Sequence, residues 1–286
     1  MTEGGLRTRG VQKRASPGLP LISIITVVYN GATHLEQAIN SILGQSYSNI
    51  EYLIIDGGSN DESLEIIKRY DEFIDYWITE SDKGIYDALN KGLSLIKGDV
   101  IGLLSADDYY EPDALLLVAN AFAYARESGL FYGNSYILQE DLELRYLSIG
   151  KLELWRGMTF KHQAMFVPRQ IYQCLGQYDT SYRIAGDYEF VLRAIKSKIP
   201  FIYIDHALVN YRNTGLSGMN PCASLKEAMR INMGFYGALS REFAVFVMLF
   251  IRSCIFSYTG KMVSLIFGAQ ALKRMRLFYA KKMFAK

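Results

Sequence analysis

The first hundred or so residues alternate between short, nearly unbroken apolar runs and longer stretches whose apolar positions recur every three or four residues. The runs are Ile22–Val28, 52–55, 76–79 and 100–104, the first, second and fourth rich in Ile, Val and Leu and the third aromatic. Each is followed by polar or glycine-containing residues: Tyr29-Asn30-Gly31, Asp56-Gly57-Gly58, Glu80-Ser81-Asp82-Lys83-Gly84 and, after Ser105-Ala106, Asp107-Asp108. Runs of this length predict strands buried on both faces of a parallel sheet. Between them, Thr33-His34-Leu35-Glu36 and Ser59-Asn60-Asp61-Glu62 read as capping boxes, each opening a helix. The first helix runs to about Leu43, and Leu64, Ile66 and Ile67 give the second its apolar face. A third, over 86–97, is closed by Gly98. The alternation predicts right-handed βαβ units in an α/β fold with a mainly parallel sheet.

Beyond this point the alternation loosens. A helix is expected over 112–126, started by Pro112, then a hairpin from 130–138 and 144–149. Strands follow at 165–167 and 201–209, with a short helix after Pro168 and another over 187–197, and helix dominates from about 224 onward. Residues 1–20, with Gly, Arg, Ser and Pro and little apolar content, read as a disordered leader. Residues 21–220 form the expected α/β domain, divisible into halves 21–111 and 112–220, and 221–286 form a helical tail.

Of the 286 residues half are hydrophobic and 21% charged, which is enough for a sizeable core. Cys174, Cys222 and Cys254 are odd in number and far apart, so neither a disulfide framework nor a zinc site is indicated, which fits a reducing compartment. No apolar segment follows the N-terminal basic residues, and a signal peptide is not expected. The net charge of +2 conceals an asymmetry: residues 241–286 carry nine basic side chains against one acidic, whereas 21–240 carry 27 acidic against 18 basic. An acidic body with a basic, apolar tail is not the pattern of a nucleic-acid binder; it suggests a body that handles cations and a tail that meets an anionic surface. Residues 243–251 are all apolar, but Arg252 interrupts well short of the roughly 20 residues a membrane span needs. The tail therefore reads as helices in the membrane interface, with basic residues near anionic headgroups. Packing on the main domain or on a second copy in a homodimer, or a shallow hairpin, are the alternatives.

Candidate chemistry gathers where the strands end. Asp107 and Asp108 are adjacent carboxylates at the end of a buried strand, where open α/β sheets bind ligands. They repel unless compensated, and a divalent metal completed by phosphate oxygens is the simplest compensator. The alternative is a turn that caps the helix at Pro112. With the loops at 29–31 and 56–59 they form a rim offering an acidic group, close-approach glycines and metal-binding carboxylates, as a nucleotide requires. There is no GxGxxG after the first strand and no P-loop, so the dinucleotide and ATPase fingerprints are missing.

Taken in order, Thr26-Val27-Val28-Tyr29-Asn30, Ile55 to Asp61, Asp87-Ala88-Leu89-Asn90-Lys91-Gly92 and Leu104 to Asp108 resemble the motifs of family 2 glycosyltransferases. His162-Gln163-Ala164-Met165-Phe166 and Ile184-Ala185-Gly186-Asp187-Tyr188-Glu189-Phe190 resemble that family's acceptor-side segment and general-base loop. The likeness spans roughly 21–215 and is nearest to bacterial surface-polysaccharide enzymes of the colanic-acid type. The resemblance implies the GT-A fold, Rossmann-like with a mainly parallel, mixed sheet flanked by helices, and an inverting, metal-dependent transfer. It implies that Asp56 accepts from the nucleotide base, that Thr26 and Tyr29 shape the base pocket, that Asp107 meets the ribose or the metal shell, and that Asp108 binds Mn2+ or Mg2+. Asp187 would deprotonate the acceptor hydroxyl. Many relatives carry Glu-Asp where this chain has Gly186-Asp187.

Each assignment has a structural counterpart. Asp56 is also a turn former and Asp187 a helix cap. Lys83 and Lys91, candidate phosphate contacts beside Asn90 in the donor motif, also suit an exposed, solvated helix face. His162 is a candidate donor to the acceptor or the leaving phosphate, or a core histidine. Arg183 and Arg212 have the fork suited to a diphosphate, Arg212 in a loop that closes over the donor, or they form surface ion pairs. Trp155 stacks a sugar or fills core. The expected activity is transfer of a sugar from a UDP- or GDP-sugar to a lipid-linked glycan, at the cytoplasmic face of the membrane. A metal-dependent nucleotidyltransferase and a non-catalytic sugar- or membrane-binding subunit are the alternatives.

Overall fold

The computed structural model describes residues 1–252, apart from 17, 126–128, 214 and 216–219, together with 273. Its elements, in chain order, are β1 (Thr2–Gly4), β2 (Ile22–Val28), α1 (Ala32–Leu43), β3 (Ile50–Asp56), α2 (Ser63–Arg69), β4 (Tyr76–Thr79), α3 (Ile85–Leu95), β5 (Val100–Ser105), β6 (Tyr109–Tyr110), α4 (Ala114–Tyr124), β7 (Leu130–Gln139), β8 (Leu144–Ser148), β9 (Met165–Pro168), α5 (Arg169–Leu175), α6 (Gly186–Lys196), β10 (Phe201–Arg212) and α7 (Pro221–Tyr236). A further helix, α8, spans 241–252.

The strands form one mixed sheet in the order β1-β4-β3-β2-β5-β9-β7-β10-β6, with β8 beside β7. β4, β3, β2 and β5 are parallel, as the alternating pattern requires. β9 enters antiparallel to both β5 and β7, reversing the sheet's direction next to the strand that carries the aspartate pair. β7 and β8 form the expected hairpin. The parallel strands are buried almost throughout, so one core lies on each sheet face: Leu35, Ile39, Leu115 and Phe122 pack on one side, Leu89, Met165, Phe190 and Val191 on the other.

Three expectations are corrected. Residues 1–20 are not disordered: β1 adds an antiparallel edge to β4, and Arg7 pairs with the buried carboxylate of Glu51. A few backbone hydrogen bonds and the pairing of Arg7 and Lys13 with the buried carboxylates of Glu51 and Asp75 fix a segment whose composition alone suggested no order. The capping boxes are not used as expected. Thr33 is exposed, and α1 begins at Ala32 with its cap supplied by the next loop: Ser63 Oγ accepts from the Gly31 N–H at 3.0 Å and Asp61 Oδ2 from the Ala32 N–H at 3.0 Å. The boundary at 220/221 does not follow the packing, because Ile231 of α7 is buried in the core shared with α6. The tail from 253 onward, Lys273 apart, lies outside the described residues. Among the described residues no helix is long and apolar enough to cross a membrane.

Candidate active site

The ends of β3, β2 and β5 are level, since Val28 faces Asp56 and Val27 faces Ser105. At a spacing near 4.8 Å per strand, Asp56 and the start of the aspartate turn stand about 10 Å apart along one rim. On the β3 side, the buried Asp56 carboxylate is wrapped by its own loop: it accepts from the Gly58 and Ser59 N–H at 3.2 and 3.1 Å and from the hydroxyls of Ser59 and Thr79. Gly58 adopts a φ of 82°, which lets the loop double back. Asn30, at a φ of 51°, ties it to β2 by accepting from the Asn60 N–H at 2.9 Å. Tyr29 stands 67% exposed beside it, an aromatic face on an open rim.

The β5 side opens into a cleft of about 330 Å³, whose lining includes Asp107, Asp108, Lys161, His162, Arg183, Asp187 and Arg212. Asp108 is fully buried. One oxygen accepts from the Arg212 N–H at 2.8 Å, and Oδ2 has no hydrogen-bond partner. Burial, reinforced by the adjacent Asp107, pushes its carboxyl well above the usual carboxylate range. A buried acidic oxygen without a partner beside a second carboxylate suits a hard cation whose other ligands come from phosphate. Among the described residues no group of three His, Cys, Asp or Glu side chains converges as a metal cage, so a cation here would need ligands from the donor.

Opposite, Asp187 sits in the first turn of α6. Its Oδ1 accepts from the Tyr188 N–H at 2.8 Å and lies 3.3 Å from the Tyr86 hydroxyl. Tyr86 donates to the Ile184 carbonyl at 2.7 Å and accepts from the Asp187 N–H at 3.2 Å, gripping both sides of the loop. Asp187 Oδ2 faces Nδ1 of His162 at 3.8 Å, too long for a hydrogen bond. Burial pushes His162 below its usual value, which favours the neutral ring, while Asp187 pulls the other way. Lys161, missed by sequence reasoning, joins the same cleft with its ammonium 4.0 Å from the centre of the Tyr211 ring. Burial lowers its pKa, opposed by Asp108 and Asp187. Its only sequence signal was adjacency to His162.

Other candidates are placed elsewhere. Thr26 is fully buried in β2 and accepts from the Tyr52 hydroxyl at 3.1 Å, so it supports the sheet instead of lining a pocket. Asn90 joins α3 to the loop before α6, donating to the Tyr178 carbonyl at 2.8 Å and accepting from its N–H at 2.9 Å. Lys91 pairs with Glu80 at 3.0 Å and donates to the Ser81 carbonyl at 3.1 Å, bracing the loop at 80–82. The side chain of Lys83 is not part of the cleft lining. Arg212 ends β10 rather than lying in a closing loop, and its guanidinium is committed to Glu140, Gln37 and the Asp107 carbonyl. It fixes the aspartate turn in place of a diphosphate. Trp155 is half-buried, with Arg156 over its ring at 5.6 Å.

This mixed sheet, reversing beside the strand that carries the carboxylate turn, is that of the GT-A fold. S. aureus TarS 1-349 in complex with UDP-GlcNAc matches with a TM-score of 0.62 at 15% identity, over 79% of this chain and 71% of that one. A mannosyltransferase from Pyrobaculum calidifontis in complex with GDP-Man and Mn2+ matches with a TM-score of 0.57 at 15% identity, over 93% and 88%. Such low identities carry the fold alone. Among sequence relatives, a PGL/p-HBAD biosynthesis glycosyltransferase of Mycobacterium bovis is 32% identical over 185 residues, covering 62% of this chain and 71% of the relative. An uncharacterized glycosyltransferase of Haemophilus influenzae is 32% identical over 205 residues, covering 69% and 80%. The family model for glycosyl transferase family 2 matches residues 23–183, more than half of the sequence, and the chain belongs to that family.

Proposed function

We propose that the protein is an inverting, metal-assisted glycosyltransferase that moves a sugar from a UDP- or GDP-sugar to a hydroxyl of a lipid-linked glycan in bacterial surface-polysaccharide synthesis. The observation that carries this is the opposition, across one cleft, of a carboxylate with an unpartnered buried oxygen (Asp108) and a carboxylate held by Tyr86 (Asp187). The neighbours' complexes with UDP-GlcNAc and with GDP-Man and Mn2+ are consistent with that donor class and metal.

In this reading the nucleoside lies against Tyr29 and the loop at 56–59, and the diphosphate extends along the rim to the aspartate turn. Asp108, with Asp107 beside it, would hold Mn2+ or Mg2+, which when bound neutralises charge building on the leaving diphosphate. Lys161 brings an amine into the cleft, where Asp108 and Asp187 favour its charged form against the effect of burial. The acceptor hydroxyl approaches Asp187 Oδ2 and gives up its proton there. Its oxygen then bonds the anomeric carbon from the face opposite the diphosphate, and the electron pair of the breaking bond leaves with the nucleotide. One base suffices for such an inversion, and no carboxylate nucleophile is needed. A basic, apolar C-terminal segment would hold the enzyme on the inner face of the membrane, where a lipid-linked acceptor lies.

The test is incubation of purified protein with Mn2+ and a panel of UDP- and GDP-sugars, following nucleotide release. Asp187→Asn is expected to slow turnover by about 10²–10⁴-fold, the usual weight of a general base. Asp108→Asn should abolish the metal dependence. A protein that turns over no donor, or that is indifferent to both substitutions, would refute the proposal.

A further inference from the structure

Helix α7 grips the loop that delivers Asp187. Three consecutive backbone N–H groups, those of Arg183, Ile184 and Ala185, converge on the carboxylate of Glu227 in α7. The Arg183 N–H lies 3.0 Å from Oε1 and 3.2 Å from Oε2, and those of Ile184 and Ala185 lie 2.8 and 3.0 Å from Oε2. Successive amides turned toward one point make a concave anion site, here filled by the protein's own carboxylate. Hydrogen bonds to an ionised acceptor are about twice as strong as neutral ones.

The grip extends to both flanks of Asp187. Arg230, one turn along α7, lies 5.3 Å from the centre of the Tyr182 ring. The Asn232 amide donates to the Tyr188 hydroxyl at 3.1 Å and to the Trp155 carbonyl at 3.3 Å, and Tyr188 donates to the Leu154 carbonyl at 2.6 Å. From the other side, Tyr86 of α3 holds the Ile184 carbonyl. The Ile184 peptide groups are thus pinned from opposite directions, the N–H by α7 and the C=O by α3, three residues before the aspartate. Such double anchoring fixes the entry angle of α6, and with it where Asp187 points.

We propose that Glu227 is a positioning residue for the transfer: its carboxylate sets the 183–185 backbone and thereby aims Asp187 Oδ2 at the acceptor. The C-terminal helical segment is then part of the catalytic apparatus and not only an attachment device. This rests on the reading of Asp187 as the base.

The role predicts a graded series. Glu227→Gln keeps one carbonyl oxygen for Ile184 and Ala185 but turns an NH2 toward the Arg183 N–H, and should lower turnover about tenfold. Glu227→Ala leaves all three donors without their acceptor and should lower it about 10²-fold, the cost of misplacing a reacting group by about 1 Å. The donor rim stands on β2, β3 and β5, so the donor KM and the thermal shift produced by UDP or GDP with Mn2+ should be unchanged in both variants. The experiment measures release of UDP or GDP from the donor the wild type turns over, with water or a supplied glycan as acceptor. Wild type, Glu227→Gln, Glu227→Ala and Asp187→Asn are compared, each with its melting temperature. A fall in kcat at constant donor KM, ordered Glu, Gln, Ala, supports the assignment. Wild-type kcat in Glu227→Gln, with Asp187→Asn inactive, overturns it; because the Gln variant keeps the helix docked, this holds even where Glu227→Ala fails to fold. Wild-type kcat in Asp187→Asn overturns the base reading instead.

Discussion

At the scale of single residues, the glycine that precedes Asp187 has a steric explanation. A Cβ on Gly186 would lie 2.9 Å from ring atoms of Tyr86, the residue whose hydroxyl grips the Asp187 loop. The side chain absent at 186 makes room for the tyrosine that orients 187. Gly186→Ala should therefore displace Tyr86, reducing kcat by at least about tenfold and stability by about 1–3 kcal/mol, as overpacking does. Donor turnover with chemical denaturation checks both, and unchanged kcat would show that Tyr86 does not set the aspartate. His162 gives the pH-dependent counterpart. Its folded-state pKa is depressed, chiefly by burial, so on acidification the unfolded chain takes up the proton first. The contribution is present above the unfolded value of about 6.5 and is lost as pH falls below it, by at most about 1.4 kcal/mol per pH unit. His162→Asn should lose less stability than wild type between pH 7 and 5.5, in urea titrations at each pH. A parallel loss in both proteins would mean that the buried ring is not what titrates.

Among the elements, the period of the pattern served well and the local end-signals did not. The parallel strands and the helices α1 to α3 were legible because each is a contiguous run. The cap of α1 was not, since its acceptors come from Asp61 and Ser63, some thirty residues downstream. The second βα loop and the first residue of α2 thus cap α1, which stiffens this rim. Asp61→Ala should cost about 1 kcal/mol, the usual value of a lost N-cap, whereas Thr33→Ala on the exposed face should cost under about 0.5 kcal/mol. Equal effects in thermal melts would restore Thr33 as the cap. The same distinction explains the site. Asp107, Asp108 and Asp187 were readable as motifs, each being local to a strand end or a helix start. The commitment of Arg212 to Glu140 and Gln37, the use of Asn90 as a clasp for residue 178, and the presence of Lys161 depend on contacts between distant segments. No local pattern encodes those.

For the whole molecule, the proposed lipid-linked acceptor requires that the body be held at a membrane. Residues 241–252 are helical, with Phe246 buried against the cleft and Met248 and Ile251 about half exposed. The helix thus has one face inside the enzyme and apolar side chains outside it. Beyond it the sequence carries Lys261, Lys273, Arg274, Arg276, Lys281, Lys282 and Lys286 with no acidic residue. Each basic residue near an anionic leaflet is worth about 1 kcal/mol, and this attraction fades within a screening length of about 10 Å at 0.1 M salt. The acidic body works against such binding, so the tail's charge has to prevail locally. The full-length protein should sediment with vesicles containing anionic lipid, bind neutral vesicles far less, and release as salt rises from about 0.1 to about 0.5 M. Exchanging Lys273, Arg274, Arg276, Lys281 and Lys282 for Gln should abolish the lipid preference without changing turnover of a soluble donor. Binding equally to neutral and anionic vesicles would leave apolar insertion as the sole anchor. No binding to either would instead assign the tail to contacts within the protein or between copies.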